Sequence, residues 1–481
     1  MYDIAIIGLG ATGVSLISQL QDEIYSSNLI KPKIAVINPS NNFSTGNAFG
    51  DADKIHKVNT PPNLLSVSYN ETNSFKYWLK RESSSEDNYP ARIQFSIFLS
   101  QLYHSIKSSD VLDITEFYST VINLEKDNNK FIITDDRNNT IYSKTVIMCL
   151  GAKVTENFPQ LSTIKGFIHH FKEYSDTYNK ILIAGSSLTA IDAFRYVNSK
   201  GNNDVNLFSR NGYLPTCLTR SNQYIPIFLT WQNIIYTSKK SGDIFNTFVD
   251  LLRKELHHLK IKGEFNQAIN FLRKNNHKDY FSFLLQRAKE ANLPFQDVLV
   301  STRPYMHKIW NIMNLSQKNK FIKNFGSIWA SWRHPIPQIV FSELHEALIN
   351  KNLKFHKLLS EPIYHENKFV IQTQNGRICA NIFWDATGGK NNITLMKDKL
   401  LTSLREKNLI EPHPCGGINI NTSTFECIVK NKTVDGLYNL GPLNKGCLFS
   451  TNAFWFNTQC ANILAKNLIR ILSFTKNKEL A

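Results

Sequence analysis

Residues 2–13, YDIAIIGLGATG, run from an apolar stretch directly into three glycines. The tetrapeptide IAII at 4–7 is short and uniformly apolar, which suits a parallel strand buried on both faces. Gly8, Gly10 and Gly13 follow at G-x-G-x-x-G spacing, and VSLISQLQDEI then sets apolar side chains three and four apart, as a helix requires. In such a strand–turn–helix, Gly8 permits the tight turn, Gly10 lets a pyrophosphate approach the backbone, and Gly13 lets helix pack on strand. The phosphates then sit on unpaired N–H groups at the positive end of the helix, around Ala11 and Thr12. A second apolar strand, KIAVIN, ends at Asn38, where an acidic side chain ordinarily grips a ribose. Asn38 keeps a neutral hydrogen bond and gives up the charge-assisted one. In this order the elements predict a dinucleotide-binding fold.

The pattern occurs a second time. Residues 181–192, ILIAGSSLTAID, again read as buried strand, tight turn and helix start. Gly185 keeps the turn, but Ser187 stands where the middle glycine is usual, and Ala190 takes the last place, where alanine is allowed. The Ser187 Cβ intrudes on the pyrophosphate path, while its hydroxyl offers a hydrogen bond. Leu188 and Thr189 open the helix, and the following strand, VNLFS, ends at Ser209 with Arg210 beyond it. A guanidinium there grips an adenosine 2′-phosphate with two parallel bonds, which favours NADPH over NADH. Two readings stay open for this half: a working NAD(P)H fold, or one that only packs against the first.

Composition narrows the class. The chain has 481 residues, 42% hydrophobic and 20% charged, with no apolar run long enough to span a bilayer, and reads as globular with more than one domain. Neither a basic leader nor a cleavage site precedes the first strand, and seven scattered cysteines form no C-x-x-C pair or metal spacing. Both features suit reduced thiols in a cytoplasm, with no metal and no membrane partner. The net charge of +16 raises nucleic acid as a partner, yet the basic residues are dispersed, so the excess reads as compositional. His257 and His258 read as a solvated helix face.

Later stretches decide between FAD and NAD at the first turn. FSTGNAFG at 43–50 adds Gly46 just after the second strand, and KVNTPPNLLSV at 57–67 is a proline loop whose Asn59 suits close approach to a planar ring. Residues 117–151 alternate apolar and polar side chains as a β-meander that includes Val121 and returns through KTVIMCLG to Gly151. Residues 231–345 carry helical periodicity, with Trp329, Trp332, Arg333 and His334 grouped in SIWASWRHPIP. An arginine there can hold a carboxylate and a histidine can move a proton, or the pair can serve structure alone; Arg303 in STRP carries the same alternatives. Residues 355–389 repeat the meander-and-return theme, with IFWDATGG expected to rejoin the first sheet. A last strand then leads to Gly441-Pro442 and a closing helix.

These stretches, GLGATG, FSTGNAFG, HKVNTPP, YPARIQFSIFL, GSSLTAID, LFSRNGYLP, STRPYMHKIW, WRHPIP, DATGG and LYNLGPLNKGCLF, together resemble the flavoprotein family that includes FAD-dependent urate hydroxylase and the nitrosuccinate-forming aspartate N-monooxygenase. Phe49 replaces the usual tyrosine, Lys57-Val58 replace two leucines, and Ala91 separates Pro90 from Arg92. The resemblance implies an α/β chain of two Rossmann-like domains, a discontinuous FAD domain and an inserted NAD(P)H domain, plus a helical insertion. The implied boundaries are 1–155 for the first part of the FAD domain, 156–230 for the NAD(P)H domain, 231–345 for the helical cap and 346–481 for the closing part. It implies FAD contacts at Gly8, Gly10, Ala11, Thr12, Gly13, Asn38, Gly46, Asn59, Arg92, Val121, Gly151, Gly441, Phe449 and Ser450. NADPH, or NADH, falls to Gly185, Ser187, Leu188, Thr189, Ser209 and Arg210. For catalysis it offers only Asn59, Arg333 and His334, since a flavin C4a-(hydro)peroxide formed with molecular oxygen would itself oxidise a small polar substrate such as an amine or amino acid. Pro442 lacks an N–H, so donors toward the flavin fall to the residues from Phe449 to Asn452. Two other functions stay open: a FAD dehydrogenase or reductase without oxygen insertion, and a flavin-binding scaffold with a nucleic-acid partner.

Overall fold

A computed structural model describes residues 1–481 apart from 28–30, 84–87, 154–155, 176–179, 203, 220–223, 261, 293, 390–391 and 480–481. The chain divides into two units, one formed by Met1–Thr155 with Gly389–Ala481 and the other by Glu156–Gly388.

In the first unit, β1 (Tyr2–Ile7) lies between β2 (Lys33–Ile37) and β6 (Thr140–Met148), parallel to both. β3 (Asp113–Phe117) extends the sheet beyond β2, and β16 (Lys432–Asn439) extends it beyond β6, again parallel. Each side chain from Ile4 to Ile7 is buried, as a strand covered on both faces demands, and each contributes about 1.5–3 kcal/mol where the side chain is large. The helix Ala11–Ser27 covers one face with Val14, Leu16, Ile17, Leu20 and Ile24, and packs along the long closing helix Phe454–Glu479. The predicted meander is present: β4 (Val121–Asp127), β5 (Lys130–Asp135) and β6 pair antiparallel in succession. A short antiparallel pair, β15 (Glu426–Val429) with β16, closes the edge.

The second unit holds a five-stranded parallel sheet. Its strands are β7 (Phe167–Ile168), β8 (Ile181–Ala184), β9 (Val205–Ser209), β10 (Leu353–Lys357) and β14 (Ile382–Asp385), in the order β10-β9-β8-β14-β7. The separate antiparallel sheet of β11 (Ile363–His365), β12 (Lys368–Thr373) and β13 (Gly376–Ala380) forms its meander. Between β9 and β10 the chain runs through helices from Trp231–Ser241 to Gln338–Ile349.

This topology corrects the expected fate of IFWDATGG and of 346–388. β14 does not return to the first sheet; it lies parallel to β8 and β7, in register from Ile382↔Ile181 to Asp385↔Ala184. All four β14 side chains are buried, as a strand paired on both edges within a covered parallel sheet requires. The second dinucleotide fold is therefore itself interrupted, with the helices lying within it.

Candidate functional site: two glycine turns and a helical insertion

The first turn is built by backbone contact. Gly8 has φ +98°, and a Cβ on it would lie 2.4 Å from the Cys149 carbonyl oxygen. The close approach at Gly10 is to Gly46: a Cβ on Gly46 would lie 2.8 Å from the Gly10 Cα. The loop after β2 thus rests on the turn, as the shared glycines permit. Val14 N–H donates to the Gly10 carbonyl at 2.9 Å, while the N–H groups of Gly10, Ala11, Thr12 and Gly13 have no acceptor among the described residues. The helix also carries no acidic residue in its first turn. Four donors at a helix start without a competing carboxylate suit a pyrophosphate.

Asn38 is more committed than its sequence position suggests. Its Oδ1 accepts from Leu9 N–H at 2.9 Å, and its Nδ2 donates to the Pro39 carbonyl and to Asn42 Oδ1, both at 3.0 Å. The side chain braces the turn across 29 residues of sequence. Asn38 N–H donates to the Phe117 carbonyl, so Asn38 lies at the carboxyl end of this sheet with Gly151 beyond β6, while Val121 is buried at the start of β4 and pairs with Asp135.

The stretches HKVNTPP and YPAR come together. Lys57 and Ala91 form an antiparallel bridge, Val58 N–H donates to the Pro90 carbonyl at 3.0 Å, and Arg92 N–H donates to the His56 carbonyl at 2.8 Å. Asn59 and Arg92 are therefore held near each other and half-buried, Arg92 at the start of the helix Arg92–Ser108. Ser15 Oγ donates to the Val67 carbonyl at 2.7 Å and Thr458 Oγ1 to the Ser66 carbonyl at 2.9 Å, tying the proline loop to both long helices.

The closing turn meets the first. A Cβ on Gly441 would lie 3.5 Å from Thr12 Oγ1, and Leu440 N–H donates to the Met148 carbonyl. Asn444 Nδ2 donates to the Asn439 carbonyl at 2.7 Å, fixing the loop. The expected row of donors from Phe449 onward is shorter than the sequence implied. Phe449 N–H donates to the Lys445 carbonyl and Ser450 N–H to the Leu448 carbonyl, because Phe449 turns the chain with φ +59°. Thr451 and Asn452 keep N–H groups without an acceptor among the described residues, and the buried Ser450 Oγ is also unpartnered. Lys445, one turn earlier, has no carboxylate partner among those residues, and burial holds its ammonium below the usual lysine range. Sequence reasoning missed Lys445, which nothing distinguishes in a chain with 55 Lys and Arg.

In the second unit, Gly185 (φ +123°) lets the turn pass the Ala386 carbonyl, and its N–H donates to the Phe208 carbonyl at 2.8 Å. Ser187 caps the helix Leu188–Ser199 without a side-chain hydrogen bond, and Ser187 and Thr189 are exposed. Ser209 is fixed by Gly212 N–H, and Arg210 beyond it is exposed, with no ion pair among the described residues. The Ser187 hydroxyl and Arg210 thus stand exposed at the carboxyl ends of β8 and β9.

The helical insertion places Arg333 at the end of the helix Leu315–Trp332, 2% exposed, with Nε and Nη2 sealed and unpartnered among the described residues. Burial, and then the Arg303 charge, lower its pKa to about 9. His334 Nδ1 lies 3.0 Å from the Ala330 carbonyl. His257 and His258 are exposed on the helix Ile244–His258, and no group of three metal-ligating side chains occurs among the described residues. No helix there is long and apolar enough to cross a membrane.

Two parallel sheets with glycine turns at the carboxyl ends of their first strands define a two-dinucleotide α/β architecture. Residues 5–153 match the profile of the FAD-NAD(P)-binding family. No curated protein matches the chain in sequence. Among solved structures, the ornithine N-hydroxylase of Kutzneria sp. 744, with reduced FAD, NADP+ and L-ornithine, is similar with TM-score 0.62 at 11% identity, over 98% of this chain and 99% of that one. L-lysine 6-monooxygenase from Pseudomonas syringae is similar with TM-score 0.61 at 14% identity, over 98% and 99%. Bacillithiol disulfide reductase from Staphylococcus aureus gives TM-score 0.51 at 12% identity, over 98% of each chain. Identities this low carry the fold and leave the substrate to chemistry.

Proposed function

We propose that the chain is a FAD-dependent monooxygenase that draws electrons from NADPH and oxidises a small polar amine or amino acid with molecular oxygen. The observation that carries this reading is the pair of turns. The first leaves four backbone N–H groups for a pyrophosphate, and the second ends at an exposed arginine suited to a 2′-phosphate. The resemblance of its motifs to the urate hydroxylase and aspartate N-monooxygenase family, and the likeness in fold to ornithine and lysine hydroxylases, support it.

The residues fit FAD in the first unit. Ala11, Thr12 and Gly13 would hold the pyrophosphate, with Gly8, Gly10 and Gly46 shaping the turn beneath it. Asn38 would brace that turn, and Asn59, Arg92, Val121, Gly151 and Gly441 would border the cofactor. Bound FAD supplies a hydride acceptor and oxygen activation. Thr451 and Asn452 N–H, with the Lys445 ammonium, would stabilise negative charge developing on the ring. In the second unit Gly185, Ser187, Leu188, Thr189, Ser209 and Arg210 would hold NADPH.

Against a thiol-based reading, Cys149, Cys217 and Cys460 are buried, and burial pushes their pKa values up to about 12, so they stay protonated and poorly nucleophilic near neutral pH. The test is an absorbance spectrum of purified protein supplied with FAD. Flavin bands that bleach anaerobically with NADPH and return in air are expected, with oxygen uptake tied to product and little peroxide released. Bleaching without coupled oxygen insertion would make it a reductase or dehydrogenase; protein that stays colourless in excess flavin would overturn the reading altogether.

A further inference from the structure

The helices between β9 and β10 contain a buried cation, Arg333, that no described residue neutralises. Arg333 is 2% exposed, and its Nε and Nη2, the two donors of one edge of the guanidinium, are both sealed from solvent and both without acceptors among the described residues. That edge is the fork that fits a carboxylate side-on. Burying a guanidinium with its fork empty is costly, and a fold normally avoids it by pairing. Here the neighbours add positive charge: Arg303 Nη2 donates to the Arg333 carbonyl at 3.4 Å. Asp297, on the helix Pro294–Ser301, accepts from Thr219 at 3.1 Å and gives Arg333 no ion pair.

The site is also rigid. Arg333 N–H donates to the Trp329 carbonyl. The single Thr216 O–H is shared between the Trp332 carbonyl and Gln296 Oε1, and the buried Gln296 Nε2 has no acceptor among the described residues. Ile336 N–H donates to the Thr216 carbonyl, so the chain on both sides of Arg333 is pinned. His307, on the helix Met306–Ile312, is held neutral near pH 7 by burial and by the charges of Lys308 and Arg333, its pKa falling to about 4.

We propose that the Arg333 fork is a binding site for the carboxylate of a small organic acid or amino acid, formed within the helical insertion. The site lies wholly in the second unit and stands whether or not the first unit oxidises the ligand. If it does, the substrate is an amino acid or other carboxylate rather than a plain amine, a refinement that rests on the monooxygenase reading.

The test uses full-length protein loaded with FAD, titrated calorimetrically and melted with acetate, succinate or L-aspartate, against succinamide and cadaverine as carboxylate-free controls and inorganic phosphate as a second oxyanion. At least one carboxylate is expected to bind saturably and raise Tm while both controls do nothing. Arg333→Lys keeps the charge and loses the fork, and should weaken that binding by about tenfold or more. Arg333→Met should abolish binding yet melt no lower than unliganded wild type, because it removes an unpaired buried charge. If none of the three carboxylates binds, if phosphate alone binds, or if R333K binds as tightly as wild type, the assignment is wrong. The flavin spectrum of the same samples scores the proposed function separately, so the two readings fail independently.

Discussion

Gly8 and Gly151 both take positive φ, +98° and +70°, but only one is crowded. Alanine at Gly8 would place Cβ 2.4 Å from a backbone carbonyl, whereas alanine at Gly151 would meet nothing within 4 Å. Gly8→Ala is therefore expected to cost about 3 kcal/mol or more and to release flavin, and Gly151→Ala only about 1 kcal/mol. Urea denaturation followed by tryptophan fluorescence, with flavin retention measured alongside, checks the contrast; equal effects would remove the crowding argument. Arg210→Gln should raise KM for NADPH about tenfold to a hundredfold and leave NADH unaffected, as steady-state flavin reduction would show. The glycines were legible in the sequence because their roles depend on spacing. The bonds of Asn38 were not, since its partner Leu9 lies on another strand's turn, and the strain at Phe449 that consumes two expected donors leaves no mark in composition.

At the scale of elements, the helix Ile244–His258 is anchored by one buried carboxylate. Glu255 accepts from Phe228 and Leu229 N–H at 2.7 Å and from Ile227 N–H at 3.0 Å, and the Tyr224 hydroxyl also donates to it. Burial alone would raise its pKa, but Tyr224 and the three N–H donors overrule it and hold the carboxyl below its ordinary value of 4.5. Because the folded value is depressed, this stabilisation is complete above pH 4.5 and is lost as pH falls through the folded value. Glu255→Gln should cost about 2–3 kcal/mol at pH 7 and flatten the acid limb of the stability curve, measurable by denaturant midpoints between pH 3 and 7 (an ordinary assay range, about four units). Helical periodicity marked this region, yet not which polar residue would be sealed inside it. The destination of β14 was equally hidden: IFWD is apolar enough for either sheet, and only pairing with β8 and β7 decides.

For the whole molecule, the two turns belong to units with separate hydrophobic cores, one around β1 and the helix Ala11–Ser27, the other around Phe167, Leu182, Phe369 and Phe383. A ligand that binds only the native form stabilises what it binds by mass action, about 2.7 kcal/mol at a hundredfold excess over Kd. Hydrogen exchange resolves where that stabilisation falls. FAD should slow exchange in Met1–Thr155 and Gly389–Ala481, most of all at Gly10, Ala11, Thr12 and Gly13, whose amides gain acceptors. NADP+ should slow exchange within Glu156–Gly388, around the Gly185 turn and the strand before Arg210, despite Ser187. Ser187 is the discriminating residue, because its Cβ would narrow a pyrophosphate path while its hydroxyl, which makes no cap hydrogen bond, would supply a donor. Protection by FAD with none by NADP+ would make the second turn a packing element, and the electrons would then have to come from a donor other than a nicotinamide dinucleotide bound there.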